Sequence, residues 1–452
     1  MQQNLAGGSA YVRGIGTLTL RDLESPAVEA LHAQATAGGL QLHGRFADDL
    51  WSATASILGS YVHGSVEALD RTQRAAQHFL QRPDLPAGSY DPTRTSLGGL
   101  STYLGVDRNG PTLGLSASTN LVTTGFEVND LGYQVRSDRM STVCSAWLQD
   151  LTPHGGVLER RVRLLGLLDT DLAGRTLSWS GNVIADARRE SHWGGLVALA
   201  AGQTVRDVAA LRGGPALRRD ASLGGTLSGH SDERARLWAE AELGGQLAPT
   251  ESSSAAKASL ELHARPRSHI ELGLGPSLTF RDESVQWVAE VELPVGEPGW
   301  VVGRLRQWTT SLTLRASYAW TPRLSLQLYA EPFLSWGAYA EFRQVADAQN
   351  SDPGRRFEAL APRLEAGVYQ VDRGGAPAFS FDQPDFAVAE LRWNVVLRWE
   401  YLPGSTFFLI WSHARSAGAA DGAGRFGDGV DRLASTPGEH VVMAKASFWY
   451  AL

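Results

Sequence analysis

The sequence predicts an all-β protein, a single antiparallel transmembrane β-barrel of about 18 strands (16–20) with short periplasmic turns and long extracellular loops, occupying residues 1–452. Three observations carry that prediction: hydrophobic and polar residues alternate in many separate segments, the connections alternate between short and long, and tryptophan and tyrosine gather beside the short ones. The alternation is clearest at residues 391–411. Leu391, Trp393, Val395, Leu397, Trp399 and Tyr401 share one face of an extended chain, and Arg392, Asn394, Arg398 and Glu400 share the other, because strand side chains point to opposite faces with period two. Pro403-Gly404 then reverses the chain, and residues 405–415 return beside it. A soluble sandwich would cover the apolar face with a second sheet. A membrane barrel turns it to lipid and leaves the arginines in a watery lumen.

In chain order the alternating segments are 9–20, 38–46, 50–62, 96–107, 111–122, 133–150, 157–168, 175–185, 191–205, 221–229, 234–243, 255–265, 268–291, 300–320, 322–344, 386–401, 405–415 and 440–452. The connections after even-numbered segments are all short, at 47–49, 108–110, 151–156, 186–190, 230–233, 266–267, 321 and 402–404. Most of those after odd-numbered segments are long, as at 21–37, 63–95, 206–220, 345–385 and 416–439. A barrel sorts its connections this way because one rim faces the periplasm and the other the outside. Trp51, Trp147, Trp193, Trp320, Trp399, Tyr401 and Tyr450 lie within a few residues of a short turn or of the C-terminus, the expected place of an aromatic girdle at one membrane interface. Residues 265–276 and 321–332 also repeat a Pro-Arg turn, an alternating run and a second proline at the same spacing, a one-hairpin unit.

The long connection 63–95 contains a helical pattern. Ser65 is placed to cap residues 66–81, Leu69, Ala76, Phe79 and Leu80 fall on roughly one side, and Pro83 ends the run. Such a segment either folds into the lumen as a plug or lies across the outer rim, and the sequence leaves both open. The other long loop, 345–385, shows no such pattern.

Composition narrows the classes. The single Cys144 excludes an internal disulfide. The net charge of -7, with 41 Lys and Arg scattered along the chain, excludes nucleic acid as a partner, since that requires a concentrated basic face. No run approaches the roughly 18 apolar residues of a spanning helix. Residues 1–10 lack the basic start and apolar core of a signal peptide, so the chain is expected to be a processed or truncated product. On the inward parity of the strands the lumen-lining candidates are Lys257, Glu261, Glu290, Arg315, Gln327, Glu331, Arg392, Arg398 and Glu400.

FLQRPD at 79–84, SYDPTRTSLGG at 89–99, GFEVNDLGYQ at 125–134, SLQLYAEPF at 325–333, FSFDQPDF at 379–386 and LRWEYLPGSTFFLIWS at 397–412 resemble one family closely. It is the family of outer-membrane β-barrel domains of unknown function that usually follow a family 9-like carbohydrate-binding module. The resemblance covers most of the chain from about residue 38. It implies a bacterial outer-membrane location and, through the usual module, a link to saccharides; the module itself is absent from this sequence. It supplies no catalytic residues.

No cofactor or metal site is expected. Residues 169–174 begin like a calcium loop, but Ser180 stands where a bidentate glutamate would close it. Ser254 and Lys257 have the spacing of a serine-lysine pair without the Lys-Thr-Gly that accompanies it in penicillin-interacting enzymes. The first functional expectation is a channel or surface receptor for saccharide-like solutes. The alternatives are a barrel-embedded hydrolase and a plugged barrel that anchors a periplasmic carbohydrate-binding module. Expected partners are outer-membrane lipid and lipopolysaccharide, and the barrel assembly machinery, which would read the aromatic end at 448–452.

Overall fold

Period-two alternation repeated this often leaves the backbone one economical arrangement, an antiparallel meander in which each strand satisfies its neighbours. That is what the computed structural model contains; it describes residues 2–23, 28, 30–293, 296–373, 376–419 and 426–450. The strands are β1 (Gln2–Leu5), β2 (Ala10–Leu20), β3 (His32–Phe46), β4 (Trp51–Gly64), β5 (Ser96–Asn109), β6 (Leu113–Val122), β7 (Arg139–Asp150), β8 (Val157–Thr170), β9 (Thr176–Arg189), β10 (Gly194–Thr204), β11 (Ser222–His230) and β12 (Leu237–Ala248). They continue as β13 (Ser253–Arg267), β14 (Ile270–Glu292), β15 (Pro298–Thr321), β16 (Leu324–Val345), β17 (Phe357–Ala359), β18 (Arg363–Glu365), β19 (Val368–Arg373), β20 (Ala376–Asp382), β21 (Phe386–Leu402), β22 (Ser405–Ala419) and β23 (Glu439–Ser447). Three helices, α1 (Val66–Arg74), α2 (Pro353–Arg356) and α3 (Phe426–Ser435), lie in the long connections.

One antiparallel sheet takes up twenty of the strands, β1 and β17 contributing only four and three residues. Each strand from β1 to β16 pairs with the next; β16 then carries β21, followed by β22 and β23. The expected closure is not present among the described residues, because β23 pairs with neither β1 nor β2. Part of the reason is local. The chain reverses at Gly7 and Gly8, both at positive φ, and β1 takes up the backbone groups of Ala10–Arg13, filling part of the edge that a closing strand would need.

The sheet nevertheless curls toward its polar face, since connections far apart in strand order meet across it. Asp84, between β4 and β5, bonds Arg206 from the loop after β10, and Arg206 bonds Gln349 from the loop after β16. On the opposite face large apolar side chains stand open: Leu40, Leu104, Leu164, Leu199 and Leu243 are each between 53% and 60% exposed. An apolar surface of that extent needs an apolar partner. Aromatic side chains bound it on two levels. Trp51 and Tyr61 lie ten residues apart on one face of β4, and Trp308 and Trp320 twelve apart on β15. At about 3.4 Å per residue and a tilt of about 40°, those spacings span roughly 25–30 Å, the height of a lipid-facing band.

Beyond that band β14, β15 and β16 run on, with register shifts after Glu283, Trp287 and Val302. These extensions are sandwiched by their own loops. Val285, Val302 and Val345 pack against Leu211 and Leu217, while Val288, Val291, Val301 and Phe342 pack against Val371, Phe379 and Phe381 of the separate β18–β19–β20 sheet. The loop at 345–385 is therefore largely structured, which its sequence did not suggest.

Two expected placements change. Trp147 sits on the polar face, because its ring fills the space above Gly114 on the neighbouring strand, and it leaves the girdle. Glu290 lies past the irregularities of β14, exposed on the extension outside the band. Trp193, Trp320 and Trp399 are exposed beside short turns, Trp51 and Tyr401 are half-buried beside theirs, and Tyr450 is exposed just after β23.

Register gives a direct prediction. Leu314 faces Leu274 and Ala330 on the apolar side, and Arg315 faces Gly273 and Tyr329 on the polar side. Leu314→Arg, costing about 2–4 kcal/mol if it falls at mid-membrane, is expected to abolish heat-modifiable folded protein in membranes. Arg315→Leu is expected to be tolerated, as read by gel mobility before and after boiling.

Candidate solute-binding site

The polar face carries its side chains in patches separated by a smooth strip. Ala198, Ala200, Gly202, Gly224 and Gly244 follow one another across β10, β11 and β12 on that face, leaving an open floor of about 510 Å3. At the long-loop end the floor opens into a recess of about 520 Å3 lined by Gln203, Arg219, Gln246, Glu251, Arg281 and Glu283 among others. Arg281 borders both spaces and forms no ion pair among the described residues, so its charge is available to a solute.

The recess is held by charged groups from distant loops. Glu251 receives two hydrogen bonds from Arg219, from Nε at 3.1 Å and Nη2 at 2.9 Å, and a third from the Asp220 amide at 2.7 Å; Arg219 also reaches Glu283. Arg356, fully buried, donates to Asp220 at 3.1 Å and to the carbonyls of Arg218 and Asn350 at 2.9 Å. Burial by itself would lower the Arg219 guanidinium, but the hydrogen bonds and charges of Glu251 and Glu283 outweigh it and raise it above the ordinary value. Arg219 is thus a permanent cation, and each charged group here has the partner that makes its burial tolerable.

Of the lumen residues expected from sequence, Lys257, Glu261, Arg315, Gln327, Glu331, Arg392, Arg398 and Glu400 all lie on the polar parity. They do not converge. Lys257 pairs with Glu242 at 2.8 Å, Arg392 with Glu390 at 3.0 Å and Arg398 with Glu400 at 3.6 Å. Arg315, over the Tyr329 ring at 5.6 Å, borders a separate groove with Gln327 and Asn394. The recess itself is not legible in the sequence, apart from the polar parity that places Arg281, because Arg219, Glu251 and Arg356 lie in connections between strands, Arg356 at the end of the one-turn α2, with ion-pair partners tens to more than a hundred residues away.

α1 settles where its connection goes. Ser65 caps it by accepting from the Ala68 amide, and Ala68 and Leu69 pack on Ala35, Val62 and Leu97 of β3, β4 and β5. Those strand residues share the polar parity, so the segment turns into the mouth and does not lie over the outer rim. The helix stops at Arg74, short of the expected residue 81, because Ala75 is extended and Phe79 takes a positive φ, turning the chain so that His78 and Arg82 point inward.

Two histidine-carboxylate contacts hold the segment. His78 Nε2 meets Glu127 Oε2 at 2.8 Å while Nδ1 meets the Thr124 carbonyl at 3.1 Å. His32 bridges Asp130 and the Thr72 hydroxyl of α1, and Arg21 donates to Asp130 at 2.6 Å. Burial would raise the Glu127 carboxyl, but hydrogen bonds from His78 and the Asn129 amide, with the charges of His78 and His32, bring it below the ordinary range.

The profile of a family described as a domain of unknown function (DUF5916) matches residues 85–450. Among curated proteins none matches the sequence. Solved structures similar to the chain include the siderophore receptor PirA of Acinetobacter baumannii, at 7% identity over 97% of this chain and 73% of that one with a TM-score of 0.44. The ferric yersiniabactin uptake receptor FyuA of Yersinia pestis is similar at 10% identity over 99% and 77%, TM-score 0.39. OccK9 of Pseudomonas aeruginosa is similar at 12% identity over 97% and 96%, TM-score 0.35. Likenesses at these scores decide nothing about this chain.

A carboxyl lowered by folding stabilises the folded form above its unfolded value, about 4.3 for glutamate, and that contribution is lost as pH falls through the folded value. The in-turned segment is therefore expected to stay seated at neutral pH and to gain protease sensitivity around residues 75–95 below about pH 4.3. In Glu127→Gln the sensitivity is expected to be present already at pH 7, as read by limited proteolysis.

Proposed function

The chain belongs to the DUF5916 family and has the apolar band of an outer-membrane β-barrel; on that premise we propose that it is a gated conduit or surface receptor for small polar solutes. One observation carries the reading: a charged recess at the long-loop end shares Gly202, Gln246 and Arg281 with a floor rich in alanine and glycine, and the in-turned segment is tied through Asp84 to Arg206 of the loop beside that recess. The recess selects by its fixed charges, the alanines and glycines of the floor leave room for passage between Asn182, Gln246, Lys257 and Arg281, and the segment at 65–95 governs access. Saccharides are the solute class the sequence resemblance points to, and the serines, glutamines and carboxylates of the recess offer the donors and acceptors a polyol needs.

In the membrane we propose that β23 closes against the part of β2 beyond the β1 pairing, residues 15–20, completing the barrel. The apolar band then meets lipid and lipopolysaccharide, and the exposed Phe448, Trp449 and Tyr450 form the end read by the assembly machinery; residues 451 and 452 lie outside the described ones. A second reading is favoured by the in-turned segment itself: a permanently blocked barrel that anchors a periplasmic carbohydrate-binding module.

In planar bilayers the wild-type protein is expected to show discrete conductance that rises in the doubly unlatched Glu127→Gln/Asp130→Asn variant. A sealed membrane with both proteins, at all voltages, would support the anchor and end the conduit. For closure, a cysteine at Thr17 is expected to cross-link in membranes to one of Val441, Met443 or Lys445 replaced by cysteine, in a Cys144→Ser background. Absence of any cross-link would leave the sheet open.

A further inference from the structure

Behind the C-terminal end of α1 lies a void of about 10 Å3, bordered by His78, Arg82, Arg136, Ser137, Asp138 and Asp171. Space of that size holds one water molecule or one monatomic ion. Most of its polar walls are already engaged. His78 serves Glu127 and Thr124 and lies 2.9 Å from the Ser137 hydroxyl. Asp171 accepts from Arg175 Nε at 2.6 Å, and Asp138 from the Leu172 amide at 3.3 Å.

The two arginines are not so placed. Arg82 is 6% exposed, yet its Nε and Nη1 have no hydrogen-bond partner; the closest carboxylate oxygen, on Asp84, is 3.8 Å from Nε and is shared with Arg206 and the Ala216 amide. Arg136 makes no side-chain hydrogen bond among the described residues and borders the same void. Burial lowers both guanidiniums, and the charge of Arg136 lowers Arg82 further. A buried donor left unmade is costly, and more so when it is charged.

We propose that the void binds one small monovalent anion of the chloride class, held between Arg82 and Arg136. A water molecule fits the space but brings no negative charge to Arg82 and Arg136 beyond what Asp84, Asp138 and Asp207 supply from nearby. A phosphate or carboxylate does not fit. The four segments around the void come from 65–95, 132–138, 170–177 and 205–208. The anion therefore fastens the mouth-blocking segment to three neighbouring loops, and the seating of that segment becomes halide-dependent. The site does not rest on the conduit reading, since it would exist in a sealed barrel as well.

The test uses the purified full chain in detergent. Crystals grown or soaked in sodium bromide are expected to show an anomalous peak between the two guanidiniums. The melting temperature is expected to rise with chloride, continuing logarithmically once the site fills, as ligand linkage requires, with no matching rise in sodium gluconate at equal ionic strength. Arg82→Met and Arg136→Met are expected to abolish the chloride-specific part. If either variant fails to fold, the bromide experiment on the wild type decides alone. No bromide peak, a peak elsewhere only, or equal stabilisation by gluconate would overturn the proposal.

Discussion

A charged side chain cannot face hydrocarbon cheaply, and this constraint sets the register of the whole sheet. Each strand offers two faces, one of leucine, valine and tryptophan and one of arginine, glutamate, serine and glycine. Slipping a strand by one residue would exchange them. Leu314 and Arg315 show the case in miniature: adjacent in sequence and opposite in environment, they lock β15 against β14 and β16 at once. The same logic explains why the expected lumen residues other than Glu290 share the polar parity although they are scattered over four strands.

What the polar face then does depends on volume. Glycine and alanine on β10–β12 leave room where Arg315 and Arg392 elsewhere fill it, and Lys257 stands at the edge of that room. That room is used at the mouth, where loops turn inward and meet. Their charges are paired across long sequence distances, Arg219 with Glu251 and Arg356 with Asp220, beside the apolar cluster in which Leu211 and Leu217 meet Ala348 and Phe357. Above the band, where β14–β16 rise out of it, the protein builds an ordinary two-sided core with Val301 and Val302 in opposite layers.

The in-turned segment joins these two regions. α1 meets the strand wall through apolar contacts and the neighbouring loop through histidine-carboxylate pairs. Apolar contact gives it a seat that is insensitive to pH, and the polar pairs add a latch that is not. A segment held this way can be ordered at rest and still be released by a change in charge.

The sequence by itself determined the all-β class, the antiparallel succession of strands, the parity of Lys257, Arg315, Arg392 and Arg398, and the Ser65 cap. All of these follow from period-two alternation, turn residues or a local hydrogen bond, which need no knowledge of distant partners. Tertiary structure alone decided that the 65–95 connection turns into the mouth, that Trp147 leaves the girdle to cover Gly114, that residues 345–385 form a small sheet, and that Arg219, Glu251 and Arg356 make the recess. Each depends on which loops meet when a curled sheet brings its ends together. Burial of a charge in an irregular loop leaves no periodic trace in the chain, because its partner is chosen by curvature and not by spacing.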